Sequence, residues 1–245
     1  NAGNAMNSQA EIIAASSGVQ LYPQHKSRYF GSVSKEKLRL VFAFYSPDGN
    51  EIAMPIASMA AYLKRDFPWV EVVLEPVLIL RDSEEYSPAN YARTIQNLKP
   101  DLIAFSIMSP HWYPMEPYFA ELKQLMPDLP VCIGGYQAML SQEQTIENPN
   151  IDYLVEGEGE VAFKELIDAL MKDGDVSQVA NLWYQENGVT KNTGLVKYLD
   201  MDEIPFQKLD FWDDKHFQKP YEGKLYTTGF FETSRGCMHK CHYCI

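Results

Sequence analysis

The chain has 245 residues, 46% of them hydrophobic, and a formal net charge of −12. This length buries one full core with appendages, and the acidic balance excludes a nucleic-acid backbone as partner. No apolar run reaches the ~18 residues of a membrane span, so no membrane partner is expected either.

Residues 1–37 lack periodicity and are expected to form an N-terminal arm. The opening "NAGNAMNSQAEIIAASSGVQ" has neither a basic stretch nor an apolar one, so it does not read as a secretory signal, and "NAGNA" ahead of Met6 is set aside as a cloning remnant. Without an export signal, the four cysteines point to reduced thiols in a cytoplasmic protein rather than to a disulfide framework.

A regular alternation begins at Leu38. "LRLVFAFYS" is β-branched and aromatic, hence a strand, and "EIAMPIASMAAYLKRDF" has apolar residues at helical spacing. "VEVVLEPVLIL" is the next strand. "SPANYARTIQNLK" is a helix with Ser87 as N-cap and Pro88 at its first position. "DLIAFSIMS" is a nearly all-apolar strand, "YPMEPYFAELKQLM" a helix, "PVCIGGYQA" a strand and "SQEQTIEN" a short helix or turn. "IDYLVEGEGE" is a strand running into a glycine-containing loop, and "EVAFKELIDALMK" is strongly amphipathic. Cys132, inside an apolar strand, is expected to be a small core residue.

These five strands, each followed by a helical segment, define a doubly wound α/β domain with a five-stranded parallel sheet over residues 38–175. Strands covered on both faces read as continuous apolar runs, and right-handed crossovers place a ligand at their C-terminal ends. Residues 176–226 are expected to be a hairpin and linker: "NLWYQENGVTKNTG" turns at Asn187-Gly188, and "YLDMDEIPFQKLDFWDDKHFQKPYEG" is polar and aromatic with scattered prolines. The last segment, 227–245, is strand-like and leads into "TSRGCMHKCHYCI".

Cys237, Cys241 and Cys244 form C-x3-C-x2-C. Three thiolates this close can converge on one metal centre, and three ligands on a four-iron cluster leave one iron open to a small molecule. The alternative is zinc, since His239 and His242 interleave with the cysteines and a Cys3His set is conceivable. Against zinc stand the absence of a second ligand pair at zinc-finger spacing and the strand that precedes the motif. Here the chain resembles the radical S-adenosylmethionine enzymes. The resemblance implies a 4Fe-4S cluster on the three cysteines, Tyr243 as the aromatic residue before the third, and S-adenosyl-L-methionine bound at the open iron. In that family an electron from the cluster cleaves it to a 5′-deoxyadenosyl radical.

An α/β domain ahead of this motif resembles, more narrowly, the cobalamin-binding radical S-adenosylmethionine enzymes, over residues 38–245. Base-off cobalamin domains carry D-x-H-x-x-G after the first strand. This chain follows Ser46 there with Asp48, Gly49 and Asn50, asparagine replacing the histidine that would ligate cobalt and Ala53 the glycine. S-x-L after the third strand corresponds to Ser106, Ile107 and Met108, with Ser109 offering a second hydroxyl. The glycine pair after the fourth is Gly134-Gly135, followed by Tyr136, and after the fifth comes Glu156 and then Gly157, Glu158, Gly159 and Glu160. The resemblance implies that these loops bind cobalamin without an imidazole under the cobalt. A side chain at Gly134 or Gly135 is expected to intrude on the nucleotide tail. Glu158 and Glu160 also suit a helix N-terminus on electrostatic grounds alone.

The parent would be an enzyme for methyl transfer or radical rearrangement on an unknown small molecule, served by a reductant protein. This chain would be its N-terminal piece, ending in the first strand of a partial (β/α) barrel and inactive alone. Three rivals share features. A receiver domain needs an aspartate where Ser106–Ser109 stand and a lysine where Glu156–Glu160 stand. A flavodoxin-like protein needs a hydroxyl-rich first loop, and "SPDGNE" has one hydroxyl. A non-enzymatic ligand-binding or scaffold module with structural zinc would bind no cluster. His111, Trp112 and Tyr113 either contact a corrin edge or pack helix to sheet.

Overall fold

The computed structural model describes residues 37–47, 49, 51–78, 84–172 and 175–242. Seven strands form one sheet: β1 (Leu38–Phe44), β2 (Val70–Leu74), β3 (Leu102–Ser106), β4 (Val131–Gly134), β5 (Tyr153–Val155), β6 (Leu182–Glu186) and β7 (Val189–Asn192). Their order is β2-β1-β3-β4-β5-β6-β7, and the pairs among the first five strands are parallel.

Side chains alternate across β1 and divide the core into two layers. Leu38, Leu40, Phe42 and Phe44 pack with Ile56 and Leu63 of α1 (Met54–Asp66) and Phe163, Leu166 and Leu170 of α6 (Gly159–Lys172). Val41 and Ala43 face the other way, toward Tyr91 and Ile95 of α2 (Pro88–Leu98) and Phe119 and Leu122 of α3 (Trp112–Leu125). Burial on both faces is why β3, and β1 apart from Arg39, read as apolar runs. Two short helices, α4 (Tyr136–Leu140) and α5 (Gln142–Ile146), follow β4.

Local chemistry behaves as the sequence suggests. Ser87 caps α2, its hydroxyl accepting from the Asn90 N–H at 3.4 Å, and Pro88 opens the helix. Cys132 is fully buried. Among the described residues no helix is long and apolar enough to cross a membrane.

Three features differ from expectation. The hairpin β6–β7, turning on Asn187 and Gly188 at positive φ, does not stand apart: β6 pairs antiparallel with β5 and widens the sheet to seven strands. Leu182 and Tyr184 are buried on it, so the hairpin covers an edge that β5 would otherwise leave open. The segment read as a linker holds two 3-10 turns, Met201–Glu203 and Asp214–Phe217, and packs Trp212 and His216 into the domain. Finally, the strand-like run before the cysteines is a strand only over β9 (Lys224–Thr227), which pairs with β8 (Gln218–Tyr221) in a separate two-stranded sheet. Every residue of β9 is exposed, so none of its side chains is buried against the larger sheet.

Candidate functional site

The chain winds from β1 outward to β2 on one side and from β3 to β4 on the other. The C-terminal ends of β1 and β3 therefore flank the switch point at which open α/β sheets bind ligands. Four loops meet there.

The loop after β1 closes on Ser46, which is fully buried. Its N–H donates to the Val77 carbonyl at 2.9 Å, its hydroxyl accepts from the Gly49 N–H at 3.1 Å and donates to the Glu51 carboxylate. Gly49 sits at φ 76°, a conformation that costs glycine little. Asp48 and Asn50 lie outside the described residues. The Trp212 indole donates to the Glu51 carbonyl at 3.1 Å, and His216 Nε2 stands 3.0 Å from the Gly49 carbonyl, with Nδ1 3.1 Å from that of Asp213. Sequence reasoning missed both residues; the cluster "FWDDKHF" in a polar stretch was the available signal.

After β3, Ser106 is half-buried, Ile107 is buried and Met108 is 51% exposed. The Ser109 hydroxyl oxygen is buried with no partner among the described residues. The three aromatic positions that follow separate in role. Trp112 is core, Tyr113 is exposed, and the His111 ring stacks on Tyr45 with centroids 3.9 Å apart. Burial pushes the His111 pKa down, opposed by the Glu51 carboxylate, so the neutral imidazole is favoured.

After β4, the two glycines do different work. A Cβ on Gly134 would meet only ordinary contacts, at 3.9 and 4.0 Å from backbone oxygens. Gly135 has φ 85°, and a Cβ there would lie 2.8 Å from both N and O of Ile107. The Gln137 N–H donates to that same Ile107 oxygen at 2.9 Å. Gly135 is thus required by the close approach of the β3 loop, a folding constraint that stands independently of any ligand. Tyr136, which follows it, is 49% exposed.

After β5, Glu156 accepts from Gln142 Nε2 at 2.9 Å and from the Trp183 indole at 2.8 Å. Gly157 has φ 78° and open space where a side chain would stand. Glu158 accepts from the Leu199 N–H at 3.1 Å. Gly159 admits the Met59 side chain, whose sulfur would lie 2.6 Å from an added Cβ. Glu160, 3% exposed in the first turn of α6, accepts from the Ser58 hydroxyl at 2.8 Å and from Arg235 Nη2 at 2.7 Å. Burial pushes this carboxyl up, but the hydrogen bonds from Arg235 and Ser58 prevail and hold it below the ordinary glutamate value.

The rim carries the features that a bulky, partly apolar ligand needs. Met108 on the β3 loop and Tyr136, Met139 and Leu140 on α4 are exposed, an apolar surface beside the buried Ser109 hydroxyl, which has no partner among the described residues. An open cleft of about 450 Å³ lies between Met54 at the start of α1 and the segment Phe230–Ser234. Beyond it Cys237 and Cys241 are exposed free thiols. Tyr243 and Cys244 lie outside the described residues, and among those described no three metal-ligating side chains converge.

Residues 47–167 match the B12 binding domain family. The chain is 31% identical over 165 residues to an uncharacterized methyltransferase of Pyrococcus horikoshii, covering 66% of this chain and 35% of that protein. It is 23% identical over 202 residues to the hopanoid C-3 methylase of Methylococcus capsulatus, covering 78% and 38%. It is 26% identical over 212 residues to the anaerobic magnesium-protoporphyrin IX monomethyl ester cyclase of Rubrivivax gelatinosus, covering 82% and 37%. The chain thus spans little more than a third of the length of these relatives. Its fold resembles the cobalamin-dependent S-adenosylmethionine radical enzyme OxsB with aqua-cobalamin and S-adenosylmethionine bound, at TM-score 0.57 and 19% identity over 71% of this chain and 25% of that one. It also resembles the methyltransferase TsrM from Kitasatospora setae with cobalamin and a 4Fe-4S cluster bound, at TM-score 0.53 and 17% identity over 78% and 31%.

Proposed function

We propose that this chain, a member through its B12-binding domain of the cobalamin-dependent radical S-adenosylmethionine enzyme family, holds cobalamin across the C-terminal ends of β1, β3 and β4 and presents it to a cluster site beginning at Cys237. The observation that carries the corrin assignment is the rim itself. The buried Ser109 hydroxyl, which has no partner among the described residues, lies beside exposed Met108 at the switch point. Ser46 and Gly49 shape the first loop, Ser106 and Ser109 offer hydroxyls, Met108 and Tyr136 offer apolar contact, and Gly134 and Gly157 leave room for a nucleotide tail.

Bound cobalamin supplies methyl-carrying chemistry. The protein's part is to shape the rim, exclude a histidine from position 50 and keep the corrin over the loops. Cys237, Cys241 and Cys244 are the donors for a 4Fe-4S cluster, Tyr243 flanks the third, and S-adenosyl-L-methionine is the co-substrate. The parent reaction is methyl transfer on a small molecule in the cytoplasm, with electrons from a reductant protein. Relatives described as methyltransferase and methylase support that reading, and the cyclase keeps radical cyclisation as the second.

Titration of the chain with hydroxocobalamin, followed by reduction to the Co(II) form, tests the corrin assignment. A bound optical spectrum is expected, with no imidazole nitrogen splitting in paramagnetic resonance. Absence of binding overturns the assignment, and nitrogen splitting from a protein imidazole, told apart from the cofactor's own dimethylbenzimidazole by isotopic labelling of the protein, overturns the absence of a histidine ligand.

A further inference from the structure

Between Phe231 and His242 every residue is exposed except Arg235, and none belongs to a helix or strand. A segment of that kind is held only where something buries it. Arg235 is where this happens. Its Nη2 donates to Glu160 at 2.7 Å and to the Ser58 hydroxyl at 3.3 Å, and its Nε donates to Glu232 at 3.0 Å. Nη1 lies 4.0 Å from Glu158. Ser58, from α1, is 1% exposed, so both fixed partners of the guanidinium sit inside the α/β domain.

We infer that Arg235 is a positioning residue. It latches the cysteine loop onto Glu160 at the start of α6, with Glu158 beside it, and so sets the distance between the cluster site and the corrin rim. The inference rests on the proposed function for what the latch positions, and on geometry alone for its existence. Electrostatics at a helix N-terminus would account for carboxylates at 158 and 160 singly. It does not account for their convergence, with a buried serine from α1, on a guanidinium 75 residues away from Glu160. A planar, permanently charged fork also suits a buried carboxylate better than an ammonium does.

The arrangement is economical. Gly157, which follows β5, has open space beside it, while Glu160 pairs with Arg235 at 2.7 Å and Glu158 lies 4.0 Å from it. Arg235 thus ties the start of α6 to a point two residues ahead of Cys237.

The test is a distance measurement that does not need corrin. Spin labels are placed on Cys237 and on Asp168→Cys at the surface of α6, with Cys241→Ser and Cys244→Ser in the background and buried Cys132 left in place. A single narrow distance distribution is expected, widening about twofold or more on Arg235→Ala. Glu160→Gln repeats the test from the other side, with circular dichroism reporting the fold. An unchanged width in Arg235→Ala overturns the latch. Hydroxocobalamin affinity is read on the same samples: its absence in the otherwise unaltered chain overturns the proposed function and leaves the distance result standing.

Discussion

The indole N–H of Trp212 donates to the backbone carbonyl of Glu51 at 3.1 Å, joining residues 161 positions apart. Beside it His216 stands 3.0 Å from the Gly49 carbonyl, and the Lys208 N–H donates to Ala57 at 3.0 Å. The stretch that reads as a linker is therefore a strap across the first loop of the rim. A glycine-containing loop with few apolar contacts opens easily, and two side chains that occupy its carbonyls hold it in one conformation.

Trp212→Phe keeps most of the ring and removes the donor, leaving the Glu51 carbonyl without its indole partner. The loss is worth about 1 kcal/mol. Hydroxocobalamin affinity is expected to fall about fivefold, which corresponds to about 1 kcal/mol. His216→Ala should act in the same direction. Optical titration measures both, and unchanged affinity in the two variants would show that the strap does not order the corrin loop.

Gly135→Ala is expected to destabilise the fold by about 1–3 kcal/mol, because φ 85° strains an alanine and its Cβ meets the Ile107 backbone at 2.8 Å. Gly134→Ala, with nothing nearer than 3.9 Å, should cost under about 1 kcal/mol. Urea unfolding of the pair compares them directly. Equal stabilities would mean that the β3 loop yields to the new methyl group.

Thiol labelling should separate the cysteines. Cys132 is fully buried, and burial, aided by Asp152, pushes its thiol well above the usual range, so almost no thiolate is present. Cys237 and Cys241 are exposed. Brief iodoacetamide treatment followed by peptide mass spectrometry should modify the latter two and spare Cys132 until denaturant is added. Modification of Cys132 in the native chain at a comparable rate would contradict its placement in the core.

Asp66 gives a pH-dependent contribution. Hydrogen bonds from Arg65 and then Lys164 lower its carboxyl from 3.8 to about 2. A depressed folded value means that the ion pairs stabilise the protein above about pH 4 and that this stabilisation is lost as pH falls through about 2. The carboxylate is partly exposed, so screening keeps the contribution modest. Asp66→Asn should therefore be less stable than the unaltered chain at pH 6, with the gap closing toward pH 2. A gap independent of pH would assign the effect to packing.

What the sequence by itself determined is what short stretches of chain can encode. Unbroken apolar runs specify strands covered on both faces, Ser87 and Pro88 start a helix, and Asn187-Gly188 turns a hairpin, because each depends on neighbours within a few residues. The order of Ser46, Ser106, Gly134 and Gly157 along the chain was likewise enough to bring the loops to one edge, since parallel βαβ units leave no other side for them. The tertiary structure alone decided where the hairpin docks, why Gly135 must be glycine, and what holds the segment before the cysteines. Each of these rests on a contact between distant residues: Tyr153 with Tyr184, Gly135 with Ile107, Glu160 with Arg235. Such contacts leave no periodicity in the sequence. A buried carboxylate and its arginine read, one at a time, as two ordinary surface charges, and only folding removes the water that makes each of them need the other.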